Sequence, residues 1–310
     1  MSAPQFAHGS VPPDAPAYGI RPPGHRLPDE TRIGHVVLQV ADLSRSLAYY
    51  EGVLGLRVLD RRDASVIMAA HEDQTPLVEL RERAGARAVP RRGRLGLYHF
   101  AILLPDRASL GRFVAHLAQI GEHAGMSDHL VSEAIYLTDP DGLGIEVYAD
   151  RPRALWETDG QQIVMHTEPL DVDALVRAAH GAAWTGMPAG TVIGHVHLFV
   201  TDLDVATEFY HTGLGLDKTV WSYPGALFLS AGGYHHHLGT NTWAAQAPRA
   251  EPDDARLLEW VVVVPTADAV RDAGRSMDAA GYAVTGASDG WTVTDPWGTR
   301  IRLVSRAAAR

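Results

Sequence analysis

The chain has 310 residues, no cysteine and a formal net charge of −10. A length of this order predicts two domains, and 46% hydrophobic residues are enough to fill their cores. The acidic balance leaves no basic footprint for nucleic acid, and the lack of cysteine excludes disulfides, thiolate metal sites and a cysteine nucleophile. Any metal must therefore rest on His, Asp or Glu, which suits Fe(II), Mn(II) or Zn(II). No run of about 18 apolar residues is present, and the start of the chain lacks the basic and apolar regions of a signal peptide. A soluble cytoplasmic protein is the expectation.

Residues 1–31 carry Pro12-Pro13 and Pro22-Pro23 and read as an irregular arm. Such an arm is expected to wrap a neighbouring surface, which points to a homo-oligomer. Ile33 to Val40 then reads as a strand. Asp42-Leu43 opens a helix that passes the aromatic pair Tyr49-Tyr50, and Leu54-Gly55-Leu56 turns into further strands. Tyr98 to Pro105 is strand-like. Arg107 to Ile120 is helix-like, with Leu110, Phe113, Leu117 and Ile120 at helical spacing. Gly144 to Tyr148 is again a strand. Residues 151–190 form a linker with one helix, Val172 to His180.

The first pattern then returns. Ile33-Gly34-His35-Val36-Val37-Leu38-Gln39-Val40 becomes Ile193-Gly194-His195-Val196-His197-Leu198-Phe199-Val200. Asp202-Leu203, Phe209-Tyr210 and Leu214-Gly215-Leu216 follow at the same offset. The strand Leu258 to Pro265, the helix Ala267 to Ala280 and the strand Thr299 to Val304 repeat the second half. The chain thus divides into a module over 32–150, the linker, and a module over 191–310. Each module holds two βαβββ units, giving an α+β fold of four units.

His99 and Glu146 lie in apolar strands. A buried imidazole or carboxylate is costly without a partner, and a metal would compensate it. Two His and one carboxylate on short strands can form a facial triad for Fe(II) with positions left open. The third ligand stays open between His35 and His195, which occupy equivalent repeat positions. His197 shares a strand face with His195. His236 is expected to point opposite to His235 and His237 if this stretch alternates as a strand. In unit four, Glu259 stands where His99 stands in unit two, and Arg302 lies close to the place of Glu146, so no cation is expected there.

The run from His129 through Ile135-Tyr136, Asp139-Pro140 and Gly142 to Glu146 resembles the extradiol signature. Only its first position departs, where Ser127 replaces the usual small apolar, Gly or Asn choice. Together with the repeats, this run makes residues 32–305 similar to the vicinal oxygen chelate (glyoxalase–bleomycin resistance) superfamily. Within it, the two-module catechol 2,3-dioxygenases of extradiol type I are the nearest pattern. The resemblance implies tandem vicinal oxygen chelate modules whose four units form two open barrels. It implies metal ligands His99, Glu146 and either His195 or His35. His195 completes the site if unit two pairs with unit three, and His35 if unit two pairs with unit one.

The turn Gly232 to Gly239 resembles the region that carries the acid–base His of these enzymes, and the matching stretch Gln74 to Glu79 has none. That favours His195, with His236 in the acid–base role and His237 reaching the substrate. His129 and Tyr136 are implied to hydrogen-bond a developing oxyanion. The implied activity is Fe(II)-dependent cleavage of catechol or substituted catechols by O2 beside the diol, giving 2-hydroxymuconic semialdehydes; Mn(II) can replace Fe(II). The implied partners are a small aromatic diol and O2. Nothing resembles a nucleotide-binding glycine loop, so no external reductant is expected. The same architecture also hosts glyoxalase-type isomerases, in which Glu79 would serve as a second carboxylate, and metal-free binding proteins. Trp184, Trp221, Tyr223, Phe228, Asn241 and Trp243 are candidates to shape the pocket.

Overall fold

Side-chain caps set the boundaries of the repeating unit in the computed structural model, which describes residues 18–287 and 290–309. In unit one, β1 (Arg32–Val40) ends just before Asp42, whose carboxylate accepts from the Arg45 amide and starts α1 (Leu43–Gly52). Strands β2 (Arg57–Arg62), β3 (Ser65–Ala69) and β4 (Val78–Glu82) complete the unit. Unit two repeats the order: β5 (Gly96–Leu103), α2 (Arg107–Ile120) capped by Asp106, β6 (Gly125–Asp128), β7 (Ser132–Thr138) and β8 (Gly144–Asp150). The linker holds a short hairpin, β9 (Thr158–Asp159) with β10 (Gln162–Ile163), and the helix α3 (Val172–Ala178). That helix stops two residues before the expected His180, because His180 and Gly181 both adopt positive φ, which no helix continues.

Unit three runs β11 (Val192–Phe199), α4 (Leu203–Ala206) capped by Asp202, β12 (Asp217–Val220), β13 (Ala226–Ser230) and β14 (Leu238–Asn241). Its helix widens into π-helical turns over Thr207–Gly213, which periodicity alone does not distinguish from α-helix. Unit four runs β15 (Arg256–Val264), α5 (Ala267–Ala279) capped by Thr266, β16 (Thr285–Ala287), β17 (Gly290–Thr294) and β18 (Arg300–Ser305).

The units do not pair in chain order. One eight-stranded sheet reads β12-β13-β14-β11-β5-β8-β7-β6 and so joins units two and three. The other reads β16-β17-β18-β15-β1-β4-β3-β2 and joins units one and four. We call them the inner and outer sheets. Antiparallel pairs β5–β11 and β1–β15 are the two seams. Each sequence module therefore gives half of itself to each sheet. Buried hydrogen bonds tie the two halves of a module together. The Tyr50 hydroxyl of α1 donates to Asp139 in the β7–β8 turn, and Tyr210 donates to Asp295 in the equivalent turn of unit four.

That turn also sets the edge of the site. Asp139 accepts from the amides of Asp141 and Leu143, which folds the chain back into β8. Gly142 closes it with φ +86°, and a Cβ there would stand 2.1 Å from the Val89 carbonyl oxygen. Gly142→Ala is expected to cost about 1–3 kcal/mol of stability in urea unfolding, because strain and a backbone clash act together. An unchanged midpoint would show that the Val89 segment yields freely.

The described part of the arm is spent on its own chain. The Tyr18 hydroxyl donates to the Gly233 carbonyl, Ile20 bridges to Lys218, Arg26 holds Asp217 bidentately, and Leu27 is buried. Residues 1–17, with Pro12-Pro13, lie outside the described residues. No helix among the described residues is long and apolar enough to cross a membrane.

Candidate metal centre

One transverse row of the inner sheet reads His195 on β11, Ala101 on β5, Glu146 on β8 and Tyr136 on β7. Paired residues across a sheet project to the same face, as do residues two apart along a strand. His99 lies two residues before Ala101 and opposite His197. Ala101 is the small residue in the middle of the row, and His195, Glu146 and His99 bring one ligand atom each together beside it.

Their ligating atoms form a tight triangle. His99 Nε2 is 3.0 Å and His195 Nε2 is 3.3 Å from Glu146 Oε2, and the two Nε2 atoms are 3.3 Å apart. All three side chains are buried. Burial opposes the charge on Glu146, but His195 and His99 outweigh it and hold its carboxyl well below the usual range. Burial pulls His195 down to about 4 despite Glu146 beside it, so its imidazole is neutral at pH 7. The contact of these two is thus no simple ion pair. It is a deprotonated donor set around a buried negative charge, as metal binding requires.

The triangle also has the right size. Donors about 2.1 Å from one ion and at right angles stand about 3 Å apart. Nδ1 of both rings is buried without a protein partner among the described residues, so only the Nε2 side of each ring is engaged.

The other predicted residues separate clearly. His35 lies on β1 in the outer sheet and does not join the triangle. Glu79 is on β4 of that same sheet, where it accepts from Arg81 at 2.7 Å. His236 lines the cavity beside the triangle, with its ring centroid 4.0 Å from that of His195. Burial, reinforced by the surrounding imidazoles, lowers its pKa well below the usual value.

His237 does not reach the cavity, contrary to expectation. Its Nδ1 accepts from the Ala231 amide, and burial lowers its pKa to about 3. Strand alternation sets His235 and His237 opposite to His236, and this holds, although β14 starts only at Leu238: His236 lines the cavity and the other two do not.

His129 and Tyr136 are joined by a 2.6 Å bond from the Tyr136 hydroxyl to His129 Nε2, while His129 Nδ1 donates to the His166 carbonyl at 2.8 Å. Burial and the charge of Glu146 keep the Tyr136 phenol protonated. Asn241 donates to His197 Nε2 at 3.0 Å and thereby fixes a further imidazole on the cavity wall.

The cavity above the triangle has a volume of about 770 Å³. Tyr98, Phe199, Tyr223, Phe228 and Trp243 give it aromatic walls, and the segment Val89 to Arg94 borders it. Trp184 instead stacks near Phe113 and His116, and Trp221 packs on the main core. The outer sheet repeats the register with other chemistry. Arg302 pairs with Val261 as Glu146 pairs with Ala101, and Glu259 is bound to Arg300 at 3.0 Å. An arginine in the carboxylate's place repels a cation.

The model of the Glyoxalase/Bleomycin resistance protein/Dioxygenase superfamily matches residues 32–147 and 192–303. A Bacillus subtilis (strain 168) protein named catechol-2,3-dioxygenase is 42% identical over 272 residues, covering 86% of this chain and 95% of the relative. Among solved structures, a candidate dioxygenase from Bacillus subtilis strain 168 superposes with TM-score 0.62 at 16% identity, covering 91% of this chain and 86% of that one. Glyoxalase I from Zea mays superposes with TM-score 0.53 at 17% identity, covering 90% and 93%. These two likenesses concern the fold alone. The chain belongs to the Glyoxalase/Bleomycin resistance protein/Dioxygenase superfamily and is a two-module enzyme related to catechol-2,3-dioxygenase.

Proposed function

We propose that the chain is an Fe(II)-dependent extradiol dioxygenase that opens catechol or substituted catechols with O2, giving 2-hydroxymuconic semialdehydes. The triangle of His99, Glu146 and His195 carries this reading. Two imidazoles and one carboxylate on one face suit Fe(II), with Mn(II) as the second choice. Bound there, the ion would acidify a catechol hydroxyl and bring the diol and O2 to neighbouring positions.

The chain's own residues do the rest. His236 accepts the second phenolic proton at Nε2 and later returns it, as a neutral imidazole can. Tyr136 turns its proton from His129 to the oxygen on which charge develops. The aromatic walls clamp the ring, and a single ring leaves volume to spare for substituents. The same relative's name supports the diol substrate and O2 as partners. A four-ligand isomerase site is not favoured, since Glu79 sits in the other sheet.

The test is aerobic incubation of Fe(II)-reconstituted protein with catechol. A yellow ring-fission product with matching O2 uptake is expected, and both are expected to stop after chelation. Tightly held Ni or Zn with turnover that ignores O2 would sink the reading. Tyr136→Phe is expected to retain iron and lose about 10²- to 10³-fold in kcat, the scale of one oxyanion donor. Equal kcat in the variant would remove Tyr136 from the chemistry.

A further inference from the structure

We propose that Asp150 and His235 are positioning residues. They hold His236 in the tautomer whose Nδ1–H turns inward and whose Nε2 lone pair faces the cavity. The argument is a count of protons along one chain of hydrogen bonds. Asp150 Oδ1 receives the Tyr234 hydroxyl at 3.1 Å and lies 2.9 Å from His235 Nε2. A carboxylate only accepts, so His235 carries its proton on Nε2. We take this as the ring's one proton, which leaves a bare lone pair at Nδ1. That atom is 2.7 Å from His236 Nδ1. Two lone pairs do not meet at this distance, so His236 donates from Nδ1 and leaves Nε2 bare.

The surroundings hold this order in place. His235 is fully buried, with the Tyr234 ring 4.1 Å and the Trp156 ring 5.3 Å from its own, so it has little room to flip. Tyr234 gives its proton to Asp150, so Tyr148 is the donor in its 2.6 Å bond with Tyr234. Asp150 and Glu146 stand four residues apart on β8 and share a face. One strand of unit two thus aims a carboxylate at the triangle and a second at the back of the His cluster of unit three. Unlike His236, none of Asp150, His235 and Tyr234 lines the cavity.

The inference rests on the acid–base reading of His236 for its effect on turnover, but the tautomer itself can be read without turnover. The full chain, labelled with ¹⁵N-histidine and loaded with diamagnetic Zn(II), would be studied by two-bond ¹H–¹⁵N correlation. His235→Gln and His236→Gln spectra assign the rings. Nδ1–H on His236 and Nε2–H on His235 are expected. A charged His235 would donate from Nδ1 instead and force Nε2–H on His236; that result overturns the proposal even if no Asp150 variant folds.

In Asp150→Ala, His236 is expected to become a tautomer mixture. Its kcat is expected to fall about 10²- to 10⁴-fold with little change in KM, and Asp150→Glu to recover part of it. An unchanged tautomer and kcat in Asp150→Ala would also overturn it. Wild-type protein inactive on every catechol would refute the proposed function instead, and the wild-type spectrum alone would then decide this inference.

Discussion

Glu146→Ala protein is expected to leave Fe(II) reconstitution without stoichiometric metal and with no measurable ring cleavage. Glu146 is the sole carboxylate of the triangle, 3.0 and 3.3 Å from the two imidazoles. Removing it leaves two imidazoles in a buried place, with no carboxylate to offset the charge of a divalent ion. Loss of groups that merely orient metal ligands costs about 10- to 100-fold in affinity, and loss of a charged ligand is expected to exceed that range. Glu146→Gln keeps the shape and separates charge from packing; it is expected to fail nearly as badly. Metal-free protein is expected to show a second effect. With no ion present, His195 and His99 more than offset the burial of Glu146, so the variant is expected to unfold more easily than metal-free wild type. Metal analysis after gel filtration reads the first outcome and urea unfolding the second. Full iron content in Glu146→Ala would remove the residue from the site.

His236→Ala is expected to show the opposite pattern, with iron retained and kcat reduced about 10²- to 10⁴-fold, the usual contribution of a positioned acid–base group. His236 lies against the ring of His195 and the ring of Phe228, and its one polar contact among the described residues is to His235. Its loss therefore removes no ligand of the triangle. The hole it leaves opens into the cavity, where added imidazole can enter. Partial rescue by imidazole, absent in wild type, is the expected signature. A variant that keeps wild-type kcat would pass the acid–base role to another group.

His99, Tyr136 and Glu146 were legible because they fall in short apolar strands with fixed spacing, where a polar side chain is costly to bury unless a partner or an ion compensates it. The choice between His35 and His195 was not settled by such spacing. The two lie in nearly the same octapeptide, and only the seam between β5 and β11 decides which reaches Glu146. That seam depends on pairing between distant strands, which local pattern does not encode. His237 was misplaced because a substrate role was given to it against strand alternation, which set it on the face opposite to His236. The Asp150–His235 bond joins residues of different units on different strands, and no local rule brings them together. Its one trace in the sequence is the alternation of Asp150 with Glu146 along β8.

The pairing of unit one with unit four also orders events during synthesis. Every strand of the inner sheet has left the ribosome once Asn241 has emerged, and no described residue beyond Trp243 lines the cavity. Strand β1 is made almost first, yet its partner β15 begins only at Arg256. At about 5–20 residues per second, the nascent chain presents an open strand edge carrying Val36 and Leu38 for much of its synthesis. A chain that stops short of Arg256 keeps every described residue that lines the cavity but leaves that edge uncovered. Loss of C-terminal sequence would thus be felt as aggregation before it is felt at the metal centre.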